Sequence, residues 1–250
     1  MKIFPKLNIF LNVLALQDGM HPLFSRFVLA KGDVYDEMEI CFNQEGFQIS
    51  GNFDCAMEQN LIFHAKEKLK VAFPHLAGEL ESIHIEVEKK IPCGAGLGGG
   101  SANAGAFLLE VGREFGISKE DLMNLAPKIG SDVAFFVSEY ESANVSGIGE
   151  VIEEFIESNH YQYEIFTPSF SCNTKVVYQA FDSLNLSPQI KLDFLNLSSV
   201  ELLHRYDLEE LNDLYLPACN AYPKLLDVAK ELGEGWFFSG SGSSFFRIKR

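Results

Sequence analysis

The chain has 250 residues, 47% of them hydrophobic, with 20 Lys+Arg against 35 Asp+Glu and a formal charge of −15. That length buries one large core or two small ones. The acidic balance argues against nucleic acid or an anionic membrane surface as the main partner, because both demand a basic footprint. A phosphorylated small molecule, held by local groups, stays open.

Cys41, Cys55, Cys93, Cys172 and Cys219 are odd in number and scattered, with no CxxC pair, which speaks against a disulfide framework or a zinc site. The six histidines (His21, His64, His75, His84, His160 and His204) show no metal-ligand spacing. The first sixteen residues imitate a secretion signal, two lysines and then an apolar stretch. Asn8 and Asn12 interrupt that stretch, and Gln17-Asp18-Gly19 stands where a small-residue cleavage site belongs. No run approaches the ~18 apolar residues of a membrane span. The expectation is a soluble cytoplasmic protein.

In chain order, residues 7–13 alternate at period two, with Leu7, Ile9, Leu11 and Val13 on one face and Asn8 and Asn12 on the other. This predicts a strand with one solvated face. Residues 37–42 alternate too, and Gln44-Glu45-Gly46 reads as a turn into a strand at 47–49. Residues 60–73 carry Leu61, Ala65, Leu69 and Ala72 at helical spacing, and 82–88 alternate strictly. Helices are expected at 101–115 and near 119–128, then a mixed stretch at 140–180 with a strand at 163–166. The leucine-rich stretch 190–233 reads as helical, its last helix starting near Pro223 and stopping at Gly233. Short strands at 236–238 and 244–248 bracket Ser239-Gly240-Ser241-Gly242-Ser243. Strands that cluster early and alternate give an α+β class, unlike the continuously apolar strands of a parallel sheet.

The segment richest in chemistry is Ile91-Pro92-Cys93-Gly94-Ala95-Gly96-Leu97-Gly98-Gly99-Gly100-Ser101-Ala102-Asn103, after which Ala104, Phe107, Leu108, Val111 and Phe115 recur at helical spacing. A strand thus feeds a glycine loop that opens a helix at Ser101. Successive backbone N–H groups and the helix N-terminus can there cradle a phosphate. Gly94, Gly96 and Gly99 satisfy the dinucleotide spacing G-x-G-x-x-G. The context fails, since the preceding strand is amphipathic, no βαβ unit surrounds it and no acid ends a strand ~20 residues on. A Walker A loop needs a lysine that Gly100-Ser101 lacks, and the protein-kinase glycine loop joins two strands.

Pro92-x-Gly94-x-Gly96-Leu97-Gly98-Gly99-Gly100-Ser101-Ala102-Asn103-Ala104 resembles the phosphate-binding motif of the GHMP kinases, the galacto-, homoserine, mevalonate and phosphomevalonate kinases. Three further segments narrow the resemblance to the 4-diphosphocytidyl-2-C-methyl-D-erythritol kinase family. Pro5-Lys6-Leu7-Asn8-Ile9-Phe10-Leu11 followed by Asp18-Gly19-Met20-His21-Pro22-Leu23 is similar to its beginning. Gly130-Ser131-Asp132-Val133-Ala134-Phe135-Phe136 is similar to its catalytic aspartate segment, and Ser239–Ser243 to its C-terminal glycine motif. Glu58-Gln59-Asn60-Leu61 and Leu211-Asn212-Asp213-Leu214 also fall where that family has similar stretches.

The resemblance implies a two-lobed GHMP-kinase-like α+β fold, with the strand–glycine-loop–helix phosphate site between a nucleotide-binding domain (1–150) and a substrate-binding domain (151–250). It implies transfer of the γ-phosphoryl of ATP to a hydroxyl of a cytidine-diphosphate substrate in the non-mevalonate isoprenoid precursor pathway. Mg²⁺ follows from ATP chemistry, with phosphate oxygens and water as its main ligands. Asp132 is the implied base, although a lone aspartate after Gly130 reads as a turn or cap residue. Lys6 is implied to face Asp132 and hold the acceptor oxygen, and Asn8 to bind an acceptor hydroxyl; standing alone, both read as solvated strand residues. His21 takes the place of a cytosine-binding histidine, whose ring can donate and accept. Phe27 and Tyr178 take those of aromatics lining the cytidine pocket, with Thr174 a polar neighbour. The amides of Gly94, Gly96, Leu97, Gly98, Gly99, Gly100 and Ser101 hold the ATP phosphates, the Ser101 hydroxyl being also a helix cap or a Mg²⁺ ligand. Asn60 reaches the nucleotide, Lys89 lines the approach to the loop, and Gly240 and Ser241 approach the acceptor. Two departures stand out: Met20 replaces an aromatic of the family, and only seven residues follow Ser243 where relatives continue with a helix and a strand. The alternatives are another GHMP kinase of homoserine or mevalonate type, or a non-catalytic nucleotide-binding protein of the same fold.

Overall fold

The structure, a computed structural model, describes residues 1–159, 161–184 and 191–249. His160 and the first residue of the 190–233 stretch lie outside the described residues. In chain order the strands are β1 (Lys2–Ile3), β2 (Lys6–Val13), β3 (Leu23–Leu29), β4 (Asp36–Cys41), β5 (Gln48–Gly51), β6 (His84–Glu88), β7 (Ser142–Ser146), β8 (Val151–Glu154), β9 (Tyr163–Phe166), β10 (Phe237–Phe238) and β11 (Phe245–Ile248). The helices are α1 (Leu61–Ala72), α2 (Ala77–Leu80), α3 (Gly99–Phe115), α4 (Lys119–Leu125), α5 (Val133–Ser138), α6 (Thr174–Ser183), α7 (Ser199–Arg205), α8 (Leu208–Leu211), α9 (Tyr215–Ala221) and α10 (Lys224–Leu232).

Two compact units interleave along the chain. The first holds Met1–Pro5, Asp33–Ile91 and Gly98–Glu139; the second holds Lys6–Gly32, Pro92–Leu97 and Tyr140–Arg250. In the first unit a sheet of order β1-β4-β6-β5 is antiparallel except for the parallel pair β5–β6. β6 shows the expected alternation, with Ile85 and Val87 buried and Glu86 and Glu88 exposed. α1 begins where Asn60 Oδ1 accepts from the Ile62 amide at 2.9 Å, satisfying a donor that the helix start leaves open. Its Ile62, Ala65 and Leu69 stripe is buried, and α3 packs against α1, α5 and β4. α3 opens at Gly99, two residues earlier than expected, behind a left-handed Gly98. Ser101 therefore lies inside the first turn and does not cap the helix.

The second unit holds an antiparallel sheet of order β2-β3-β7-β8 and a smaller one of order β10-β11-β9. β2 departs from the expected half-solvated strand, because all eight of its residues are buried, Asn8 and Asn12 among them. Packing on both faces explains this. Ser25 and Ser239 meet Asn8, and Asp213 meets Asn12. β3 carries no legible alternation because it buries Ser25 and Arg26. The Arg26 guanidinium donates to Asn144 Oδ1 (2.7 Å) and to the carbonyls of Leu195 and Leu197 (both 2.9 Å), beside Glu157 at 3.6 Å. Burial pulls its pKa down to about 10 despite that carboxylate. The unit's apolar core gathers Leu11, Val13, Val177, Phe181, Leu214, Ala218, Trp236 and Phe245. Among the described residues no helix is long and apolar enough to cross a membrane.

Candidate active site

The glycine loop turns its carbonyls into the protein one after another. Gly94 O accepts from Cys172 N (3.0 Å), Ala95 O from Ser244 N (3.1 Å), Gly96 O from Ser239 Oγ (3.1 Å), Leu97 O from Lys6 N (3.0 Å) and Gly98 O from Ala102 N (2.8 Å). In a trans peptide the following N–H points the opposite way, so the amides of this run face away from those partners. Gly94, Gly96 and Gly98 have φ of +63°, +73° and +69°. Left-handed residues at alternate positions are a feature of the turns that can gather N–H groups about an anion. Gly99, Gly100 and Ser101 then form the first turn of α3, where N–H groups lack intrahelical acceptors. Each of these two stretches by itself presents backbone donors to an anion.

Gly96 also admits a close approach. A Cβ there would lie 2.1 Å from Ser239 O, so the C-terminal glycine motif rests directly on residues 94–97. Ser239 Oγ further accepts from the Asn8 amide at 3.3 Å, and a Cβ on Gly240 would sit 3.1 Å from Asn8 Oδ1. Lys6 Nζ donates to Asn8 Oδ1 at 2.5 Å and lies 4.6 Å from the centre of the Phe27 ring. Lys6 is only 4% exposed, which excludes the solvated-lysine reading.

The remaining acceptor-side candidates join the same unit. Thr174 Oγ1 and Ser241 Oγ share a hydrogen bond of 2.8 Å. One turn along α6, Tyr178 stacks on the His21 ring, with centroids 5.7 Å apart and planes at 26°. His21 Nδ1 donates to Leu14 O at 2.7 Å, and its Nε2 lies 2.8 Å from Asp182 Oδ1. Tyr178 thus meets the imidazole itself, and Met20 is exposed. Asn8, Phe27, Lys6, Gly240 and Ser241, Thr174, Tyr178 and His21 come from separate chain segments and are all brought into the second unit.

In the first unit Asp132 precedes α5 and makes no side-chain cap to it, which removes the cap reading; Ser131 Oγ donates to its Oδ1 at 3.3 Å. Asn60 Oδ1 is committed to capping α1. The Lys89 ammonium is turned into a buried cluster, donating to Asp36 and, at 2.9 Å, to Asn103 Oδ1. Asp36 is fully buried and also accepts from Lys90 N (2.7 Å), Ile91 N (2.8 Å) and Asn103 Nδ2 (2.9 Å). It ties the end of β6 to the first turns of α3 and so sets how the chain runs into the glycine loop. Sequence reasoning missed Asp36, Asp182 and the loop-contacting role of Ser239. Asp36 begins an alternating strand and Asp182 lies on an amphipathic helix, so neither carries a local signal. Among the described residues no group of three or more His, Cys, Asp or Glu is placed to hold a metal.

The GHMP kinases N terminal domain family, a class of small-molecule kinases, matches residues 60–140, the stretch that holds the glycine loop, α3 and α5. The chain is 41% identical to the 4-diphosphocytidyl-2-C-methyl-D-erythritol kinase of Helicobacter pylori (strain J99), over 99% of this chain and 93% of that one. It is 40% identical to the protein of the same name from Campylobacter jejuni subsp. jejuni (strain 81-176), over the full length of both. A crystal structure of 4-(cytidine 5'-diphospho)-2C-methyl-D-erythritol kinase, 28% identical, superposes with a TM-score of 0.77 over 100% of this chain and 90% of that one. Methanococcus jannaschii mevalonate kinase, 10% identical with a TM-score of 0.60 over 100% of this chain and 90% of that one, shares the fold. The chain belongs to the 4-diphosphocytidyl-2-C-methyl-D-erythritol kinase family.

Proposed function

We propose that this chain transfers the γ-phosphoryl group of ATP to a hydroxyl of 4-diphosphocytidyl-2-C-methyl-D-erythritol, in the non-mevalonate route to isoprenoid precursors. The observation that carries this reading is about 40% identity, end to end, with kinases of that name. The glycine loop at Gly94–Gly98 and the first turn of α3 supply what the donor phosphates need.

Phosphoryl transfer through a loose transition state asks for positioning, charge neutralisation and a group to receive the hydroxyl proton. The amides from Gly94 to Ser101 hold the phosphates, with Gly96, Gly98 and Gly99 contributing most. Mg²⁺, when bound, neutralises the β- and γ-oxygens; phosphate oxygens and water suit it best as ligands, and the Ser101 hydroxyl in the first turn of α3 is the side chain offered. Asp132, in the segment similar to the family's catalytic aspartate segment, receives the proton. Lys6 holds the acceptor oxygen. Its buried ammonium is oriented by the bond to Asn8 Oδ1, which supports that role.

His21, whose ring nitrogens are engaged by Leu14 O and Asp182, meets the cytosine with Tyr178 stacked on its ring; Phe27 lines the same pocket, and Asn8, Thr174, Gly240 and Ser241 meet the acceptor's polar groups. Asn60 and Lys89 act on the nucleotide side, each also holding structure, the one as a helix cap and the other against Asp36. We place the reaction in the cytoplasm, where ATP is supplied. With a charge of −15, the chain draws two anionic ligands in through local amides and Lys6, against its overall field.

The test is ADP release from Mg-ATP with and without 4-diphosphocytidyl-2-C-methyl-D-erythritol, with homoserine and mevalonate as controls. Release dependent on the cytidyl substrate alone is expected. Release with another alcohol moves the chain to a different GHMP substrate, and ATP binding without turnover makes it a non-catalytic nucleotide binder.

A further inference from the structure

Leu211-Asn212-Asp213-Leu214 joins α8 to α9, and the reaction as proposed assigns it no role. Its two polar residues, both in the second unit, face different neighbours. Asn212 is 2% exposed and its amide is fully used: Nδ2 donates to Phe238 O at 3.0 Å and to Gly240 O at 2.9 Å, while Oδ1 accepts from Leu214 N at 2.9 Å. The two carbonyls it grips flank Ser239, whose hydroxyl contacts Asn8 N and Gly96 O. Asp213 faces β2 instead. Its carboxylate accepts from Val13 N at 2.9 Å and Asn12 Nδ2 at 3.4 Å, and its backbone N–H donates to Leu11 O at 2.9 Å. Leu11 and Asn212 also form a parallel bridge.

One dipeptide therefore holds both the strand that carries Lys6 and Asn8 and the turn that carries Gly240 and Ser241. The chemistry of each position is specific. Two carbonyl acceptors need two N–H donors on one group, and among side chains of that size only an amide supplies both while still accepting from Leu214 N. Two donors on the β2 side suit a carboxylate, which has no N–H group to set against them. An unmade bond in this buried setting has no water to replace it.

We infer that Asn212 is a positioning residue for acceptor binding, fixing the Gly240–Ser241 turn against Asn8 so that the turn meets the acceptor of the phosphoryl group. This rests on the proposed kinase reading. Asn212→Asp keeps the size and the acceptor for Leu214 N but loses both donors, and Asn212→Ser is a neutral second variant. For either, the expected result is a KM for the cytidyl acceptor raised tenfold or more and a larger share of ATP hydrolysed without transfer, with the Kd for ATP alone within twofold of wild type. A purely structural role would instead lower the folded fraction, reducing Vmax per total protein while kcat per titrated active site, acceptor KM and the transfer-to-hydrolysis ratio stay unchanged; that result overturns the inference, as does a parallel loss of ATP affinity. Should neither variant fold, hydrogen exchange in the wild-type protein decides. Amides of residues 237–244 are expected to slow on adding acceptor and not on adding ATP alone, and no response to acceptor overturns the inference. Failure of the wild-type protein to phosphorylate the cytidyl acceptor identifies failure of the kinase reading itself.

Discussion

Ser239 and Gly96, 143 positions apart in the chain, meet through a hydrogen bond of 3.1 Å from the serine hydroxyl to the glycine carbonyl. The same contact brings Ser239 O to 2.1 Å from where a Gly96 Cβ would sit, at a φ of +73°. Gly96→Ala is therefore opposed twice, by left-handed strain of about 1–3 kcal/mol and by a backbone clash that no side-chain rotation relieves. ATP affinity, measured by calorimetry, is expected to fall at least about tenfold, or 1.4 kcal/mol. A variant that binds ATP as wild type does would remove the loop from the phosphate site.

Asp132→Asn preserves shape and removes the proton acceptor. ATP binding is expected to persist while turnover of the cytidyl substrate falls by about 100-fold or more, the usual contribution of a positioned base. Single-turnover kinetics check this. Near-normal turnover would assign the proton to another group.

Asp36→Ala strips a fully buried carboxylate from Lys89, two backbone amides and Asn103. Removing one partner of a buried ion pair costs about 3–5 kcal/mol, because the other charge stays behind uncompensated. Chemical denaturation is expected to show that loss. Lys89→Met in the Asp36→Ala background should restore part of it, because it removes the stranded ammonium; a double variant no more stable than the single one would show that the ion pair is not the origin of the cost.

Burial pushes the Cys172 and Cys219 thiols up from 9.0 to about 11. Thiol reactivity follows the thiolate, so iodoacetamide at pH 8 is expected to label the exposed Cys41 and Cys55 well before this buried pair. Unfolding in denaturant should equalise the rates. The same shift has a stability consequence. A thiol whose folded pKa is raised contributes stability that is complete below pH 9 and is lost as pH climbs toward 11, so thermal stability should decline across that window. Early labelling of Cys219 in the native protein would contradict its placement in the core.

Local signals were legible wherever the cause of the structure lies within a few residues. The helices expected over 60–73 and near 119–128 form as α1 and α4, and β6 alternates as its sequence does. The start of α3 was misread by two residues because glycine, with no side-chain signal, forms the cap at Gly98. β3 was missed because a buried Arg26 breaks the apolar pattern that marks a strand, and its partners at 195–197 lie far along the chain.

The sequence by itself determined the glycine loop, the helix that follows it, and the order of motifs that match a kinase family. Backbone conformation and capping are decided by neighbours in the chain, so residues 94–115 announce themselves. Only the tertiary structure decided that Asn8 and Lys6 are buried, that Ser239 rests on Gly96, and that Asn212 grips the turn at 238–240. Those facts depend on partners up to 231 positions away. A polar residue on an alternating strand looks the same in sequence whether water or a second loop covers it, and packing alone separates the two cases.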